Sequence, residues 1–383
     1  MRKISAYVIL VIMLLCSSAH ADVFYLTASG DVGRISISGA DSADLLGTQY
    51  TTSWNDPFLG SYWDGSTTRV ILVDRTTDTA ASGDTALIFN PSDMTAPIES
   101  ARKVLAGVYS AQVMAGSDNG RAIFFASGNS IHEFSTDDFS LTRSYTYTPK
   151  ASEDITSEII GLITGSNTIN ALIKQDISRD VVLRFDGQLK EDVKDSFQRR
   201  PLEYETAAIS WLSNSRVAAG HEYGVDIWSN SMGFLHVLST DAPVKALCED
   251  GGNGFYFIEQ SESEGRYTTI LKHYISGEEI TTLFMTTEGQ TYRLIRDGDN
   301  GLIAAIVGGE LLVYWMHDDV LLGEYDSYDL GGEPVQITAS NVSGDDGKKS
   351  NNCSVSGIGM ILIFAVGFMF LKEKGISQNE SVL

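Results

Sequence analysis

The chain has little cysteine, little proline and little positive charge, and each shortage removes a class of protein. Three cysteines, Cys16, Cys248 and Cys353, are scattered over 383 residues. That is too few and too dispersed for a disulfide framework or a zinc site of paired thiolates. Seven prolines beside 36 glycines do not make a proline-rich or low-complexity polymer. Lysine and arginine total 27 against 50 acidic residues, a net charge of -23. No basic cluster lies in the interior of the sequence, so a nucleic-acid groove is excluded.

Linear catalytic signatures are missing as well. His132-Glu133 and His221-Glu222 have no second histidine four positions on, so the zinc-protease pair of imidazoles on one helical face fails. There is no Gly-x-Ser-x-Gly elbow and no phosphate-cradling P-loop. Asp297 and Asp299 begin like a calcium loop, but the third ligand position is Gly301 and no distal glutamate completes it. No cofactor, no metal and no catalytic residue is therefore expected from motifs.

Long apolar runs occur only at the two ends. Arg2 and Lys3 precede an apolar run from Ala6 to Cys16, and Ala19-His20-Ala21 supplies the small residues that a signal peptidase requires. A signal peptide over 1–21, cut after Ala21, is expected; Leu15 before Cys16 is too large for a lipoprotein processing site. The second run, Val355 to Leu371, has 17 uncharged residues and is followed by Lys372-Glu373-Lys374. As a helix it would reach about 25 Å. One transmembrane or sorting helix over 355–371 is expected, behind a polar linker 344–354 and ahead of a short tail 372–383. The basic residues after it put the large domain outside the cytoplasm, at the cell envelope. Cys353 in a small polar linker, a Ser/Gly-containing apolar stretch and then basic residues resemble bacterial C-terminal sorting signals of the Synerg-CTERM type. That resemblance implies Cys353 as a processing or attachment site.

Between the ends the pattern is of short β-rich runs broken by Gly, Asn, Asp and Ser, which reads as an all-β chain. A turn built on asparagine recurs at Asn119, Asn167, Asn214, Asn253, Asn300 and Asn341, at intervals of 48, 47, 39, 47 and 41 residues. A second series is an aromatic closing an alternating strand: Phe89, Phe134, Phe185, Trp228, Tyr274 and Trp315, at intervals of 45, 51, 43, 46 and 41, with Ile37 in the first place. Both series divide residues 22–343 into seven units averaging 46 residues, enough for four short strands each. Such a period predicts a seven-bladed β-propeller. The fifth unit, Gly220-His221 through Ile227-Trp228 and then Gly233-Phe234-Leu235-His236-Val237, resembles a WD40-type blade, with Ser229 where an aspartate usually follows the tryptophan.

The first unit opens with Val23 to Leu26 and Arg34 to Ile37, which match second and third strands; its first strand is missing. Val335-Gln336-Ile337-Thr338-Ala339 supplies it from the other terminus. The ring is thus expected to close by pairing of these segments, leaving no exposed sheet edge.

Loops joining blades, and those between second and third strands, should share one outward face, the natural recognition surface. Its most informative stretch is a loop from Tyr50 to Trp63, where Trp54, Asp56 and Phe58 suit sugar stacking or a protein hot spot. Arg179, Glu222 and Tyr223 are further candidates on that face, along with Arg75. The resulting expectation is an exported, envelope-anchored, non-catalytic binding or assembly module for a protein or glycan. The alternative is an extracytoplasmic propeller enzyme such as a metal-assisted hydrolase or lactonase.

Overall fold

The computed structural model describes residues 21–339, apart from 38–41, 79, 99–101, 118, 149–155, 166–167, 176–178, 186–188, 190–196, 213–215, 230–232, 278, 298–301, 316–319 and 327–329, together with Ser354 and Val355. The expected signal peptide and most of the expected apolar helix, with Cys353, lie outside the described residues. Among the described residues there is no helix, and none long and apolar enough to cross a membrane.

Twenty-eight strands form seven four-stranded antiparallel sheets. Blade 1 contains β1 (Ala21–Thr27), β2 (Asp31–Ile37) and β3 (Ala43–Thr51). Blade 2 is β4 (Pro57–Trp63), β5 (Thr68–Asp74), β6 (Gly83–Phe89) and β7 (Lys103–Ala106). Blade 3 is β8 (Val113–Gly116), β9 (Ala122–Ser127), β10 (Ser130–Ser135) and β11 (Leu141–Thr146). Blade 4 is β12 (Ser157–Gly165), β13 (Thr168–Gln175), β14 (Val181–Phe185) and β15 (Phe197–Pro201). Blade 5 is β16 (Thr206–Leu212), β17 (Arg216–His221), β18 (Gly224–Ser229) and β19 (Phe234–Ser239). Blade 6 is β20 (Val244–Glu249), β21 (Gly254–Ser263), β22 (Arg266–Ile275) and β23 (Thr281–Thr286). Blade 7 is β24 (Tyr292–Asp297), β25 (Leu302–Val307), β26 (Glu310–Trp315) and β27 (Val320–Tyr325), and β28 (Pro334–Ala339) returns to blade 1.

The sequence explains the layering. Second strands are buried on both faces and read as unbroken apolar runs, as in Leu302-Ile303-Ala304-Ala305-Ile306-Val307. Outer strands alternate, as β3 does from half-buried to exposed along its length. The aromatics closing the third strands lie where the repeat put them, and Phe89, Phe134, Phe185 and Trp228 are fully buried between blades. Burying a ring of that size contributes roughly 5 kcal/mol at the upper estimate. Cys248 lies buried in β20, packed with Tyr256 and Leu294, as a small hydrophobe.

Ring closure is as expected. β28 pairs antiparallel with β1 in the register Val23↔Ala339, Phe24↔Thr338, Tyr25↔Ile337 and Leu26↔Gln336. Gly33 in β2 is required here, because a Cβ on it would lie 1.9 Å from Cζ of the buried Tyr25 ring. A two-residue strand, β29 (Ser354–Val355), pairs with the inner edge of β16 through Ala208↔Val355 and Ile209↔Ser354.

The expected loop from Tyr50 to Trp63 is shorter than the sequence indicates. Residues 57–63 form β4, and only 52–56 connect two blades. Pro57 opens the strand, a position where its missing N–H costs nothing, and the aromatics Phe58 and Tyr62 pack into the core rather than presenting a surface.

Candidate functional site

Inner strands β4, β8, β12, β16, β20, β24 and β28 run in the same direction around a central channel, each in contact with the next. Their first residues, and the last residues of the second strands beside them, therefore gather at one mouth. Four of the seven carry a bulge close to that end: at Ile160 in β12, Ala207 in β16, Lys245 in β20 and Val335 in β28. A bulge re-aims side chains at a strand end, which is why bulges concentrate near sites.

Charged groups from five blades meet there in a chain that is otherwise strongly acidic. Arg75 follows β5; its Nε donates to the carbonyl of Asp56 at 3.1 Å, Nη1 donates to the carbonyl of Ala111 at 3.3 Å, and the guanidinium pairs with the Asp56 carboxylate. Lys174 in β13 sits opposite Glu158 of β12 and forms an ion pair with Glu205, which precedes β16. Lys245, the bulged residue of β20, is half-buried. Burial lowers its pKa, the Lys174 charge adds to this, and Glu205 opposes it. Glu205 is held below its ordinary value by the hydrogen bond and charge of Lys174, with Lys245 contributing.

Tyr292 and Arg293 open β24. Burial raises the Tyr292 phenol, against the charges of Arg293 and Lys174. Burial lowers Arg293, and the Arg75 charge adds to it. Lys174 and Tyr292 stand on blades 4 and 7, and Arg75 and Arg293 flank blade 1 from either side, so these interactions span the mouth. Nη1 of Arg293 donates to the Tyr292 carbonyl at 2.6 Å. Four cations and two exposed carboxylates, Asp56 on Arg75 and Glu205 on Lys174, thus surround an opening suited to an anionic or polyhydroxylated small molecule.

One strand further out, Nδ1 of the buried His221 accepts from the Tyr223 N–H at 3.1 Å, and Nε2 lies 3.6 Å from Asp226. Its ring stacks on Tyr204 at 4.7 Å. Two buried aspartates are structural. Asp84 accepts from the N–H groups of Thr76, Ser110 and Ala111 at 2.7, 3.0 and 2.7 Å. Asp180 accepts from Gln175 and Thr206 at 3.1 and 2.7 Å. Each ties the end of a second strand to the start of the next blade. Among the described residues, no three His, Cys, Asp or Glu side chains could hold a metal ion together.

Of the residues expected on the outward face, Trp54 and Asp56 lie between blades 1 and 2, and Arg179, Glu222 and Tyr223 lie between second and third strands. Trp54 is half-buried against the cluster of Phe24 and Phe89, with the Arg102 guanidinium 4.8 Å from its ring. Asp56 is exposed and serves Arg75, Phe58 packs inward, and Arg179, Glu222 and Tyr223 are exposed. Ala21 is the first residue of β1. Of the mouth residues, Arg75 and its partner Asp56 stood out in the sequence. Lys174, Glu205, Lys245, Tyr292 and Arg293 were missed because they look like ordinary strand-end charges; aligning the seven units on their first strands would have put them in one ring.

No family model matches the chain, and no curated protein is similar to it in sequence. In fold it is similar to several solved structures. One is a protein assigned as a 6-phosphogluconolactonase from Bacteroides fragilis, with 10% identity and a TM-score of 0.57 over 85% of this chain and 99% of that one. Another is a periplasmic gluconolactonase from Pseudomonas aeruginosa, with 11% identity and a TM-score of 0.57 over 84% and 99%. A third is a protein from Lactobacillus plantarum, with 12% identity and a TM-score of 0.59 over 84% and 99%. At such identities the similarity establishes the propeller. The expectation of a non-catalytic binding or assembly module, and of no enzyme, is corrected here, because neighbours in fold carry the name of lactonases. Missing linear motifs do not speak against an enzyme here, because a propeller can assemble a site from separate blades, one or two residues from each.

Proposed function

We propose that the chain is a lactonase whose site is the channel mouth, acting on a small lactone that bears hydroxyl groups or a negative charge. The observation that carries this reading is the convergence of Arg75, Lys174, Glu205, Lys245, Tyr292 and Arg293 from five blades. The names of the fold neighbours support the choice of reaction.

Opening a lactone needs a water aimed at the carbonyl carbon, stabilisation of the negative oxygen that forms, and a proton for the departing ring oxygen. In this reading Glu205 accepts the proton of the attacking water as the new C–O bond forms. Arg293 and Lys174 face the developing oxyanion. Lys245, made a stronger acid by burial, protonates the ring oxygen as its bond to the carbonyl carbon breaks, and the product is the open hydroxy acid.

Proton release from glucono-1,5-lactone and its 6-phosphate, followed with a pH indicator against the spontaneous rate, tests the reading. Acceleration of at least one substrate is expected, with a loss of about 10²-fold or more in Glu205→Gln and Lys245→Ala variants whose circular dichroism is unchanged. No acceleration of either lactone by the wild-type chain overturns it.

We further propose that the protein works outside the cytoplasm, tethered through 355–371, with Ala21 and Cys353 as processing positions. The paired apolar ends of the sequence support this. Mass spectrometry of the native chain tests it: a first residue at Asp22 is expected, and an intact Met1 refutes export by cleavage.

A further inference from the structure

Blade 7 carries a cluster of carboxyl groups that the mouth does not use. Glu310 opens β26, and Glu324 lies on β27 opposite Leu312. The two carboxyls come within reach of a hydrogen bond to each other. Such a bond requires a proton on one of them, since two ionised carboxylates in contact repel. Oε2 of Glu310 is buried and has no hydrogen-bond partner among the described residues; the same holds for the hydroxyl of Tyr314, a side chain only 2% exposed. The charges of Glu324 and Glu310 act on that hydroxyl, which places it beside them.

Other groups facing the pair are acidic too: Glu288, from the loop before β24, and Asp326, just after β27. Glu333, immediately before β28, keeps Oε1 beside Gly309 and accepts a hydrogen bond there from Thr291 Oγ1 at 2.8 Å. Among the described residues, no three of these carboxylates are placed to share a metal ion.

The cluster sits where blade 7 hands over to the closing strand. Asp326 accepts through its carbonyl from the buried Leu330 at 3.3 Å, and Glu333 accepts through its carbonyl from Ala28 at 2.8 Å. On the other side, Gly308 N–H donates to the Thr291 carbonyl at 2.8 Å, next to Tyr292 and Arg293 of the mouth.

We propose that Glu310 and Glu324 share one proton and form a pH-sensitive latch, whose deprotonation loosens the segment that delivers β28 to blade 1. Burial first, then the bond and charge of Glu324 and the charges of Glu288 and Asp326, push Glu310 from 4.5 up to about 7. The folded chain therefore keeps this proton where the unfolded chain has lost it. The stabilisation is full below the ordinary carboxylate range and is lost as pH rises through about 7.

Equilibrium unfolding of the wild type and of Glu310→Gln, between about pH 4 and 8.5, tests the latch without any substrate. Glutamine mimics the protonated state, so the variant should match the wild type at the acid end. It should gain on it by about tenfold in unfolding constant at the alkaline end, after allowance for solvent screening. Glu324→Gln should do the same, and hydrogen exchange of β27 and β28 in the wild type should speed up over that interval. A difference between wild type and Glu310→Gln that does not change with pH overturns the proposal. So does stabilisation of the wild type by millimolar calcium at alkaline pH that Glu310→Gln lacks, since a cation would then hold the cluster.

Discussion

Ring closure makes a residue two positions from the end of the closing strand as important to stability as any in the centre of the propeller. Ile337 lies in β28 opposite Tyr25, is 6% exposed, and packs with Val23, Ile35, Leu302, Ile306 and Val313 at the junction of blades 1 and 7. Truncation to alanine removes three carbon groups, about 0.8 kcal/mol each in transfer free energy. The cavity left behind raises the total to about 3–4 kcal/mol, inside the ~2–5 span seen for such truncations. The unfolding constant should rise by two to three orders of magnitude, on the order of tenfold per 1.4 kcal/mol. Urea unfolding followed by tryptophan fluorescence measures this as a lowered midpoint at constant slope. Met285→Ala, at a side chain 60% exposed on outer strand β23, sets the scale for a surface change, within about 0.5 kcal/mol. If Ile337→Ala shifts the midpoint no more than Met285→Ala does, β28 does not close the ring and the reasoning fails.

Three further outcomes follow from the same packing. Asp84→Ala strands three N–H groups, that of Ala111 buried and those of Thr76 and Ser110 part-buried, and should cost about 2–3 kcal/mol, read by thermal unfolding; a neutral result would mean the seam between blades 2 and 3 does not depend on it. Asn170 is fully buried, and neither amide atom finds a hydrogen-bond partner among the described residues, so Asn170→Leu should raise stability by about 1–3 kcal/mol; a loss would point to a buried water on that amide. Gly33→Ala drives a methyl into the Tyr25 ring and should lower the melting temperature, at a cost of about 1–3 kcal/mol, and Tyr25→Leu in the same chain should recover part of it.

The architecture was legible because it is written in local patterns. Third-strand aromatics such as Phe134 and Trp228 and asparagine turns such as Asn119 repeat with the blade, and the orphan strands at Val23 and Val335 each lack what the other supplies. The site was not legible for a physical reason. Lys245 faces the mouth because a bulge turns it there, and Lys174 meets Glu205 only when blades 4 and 5 lie side by side. Neither fact has a signature in residue spacing. Trp54 and Phe58 drew attention for their aromatic density, but stacking on a ligand and packing on a core demand the same side chains, and both are partly buried against the clusters between blades. Glu310 and Glu324 are fourteen residues apart in sequence, and only the pairing of β26 with β27 makes them share a proton.

The register of blade 1 also fixes how the molecule answers to force. Val23 and Ala339 form the first rung between β1 and β28, so the chain before Ala21 and the chain after Ala339 depart from the same end of one ladder. A pull on both would act across the strands, along the hydrogen bonds, and would break the rungs one after another like a zipper instead of shearing them together. Tension applied at Ala21 and Ala339 would therefore undo this single seam while the other six sheets stayed intact, making the closing strand the mechanical fuse of the ring.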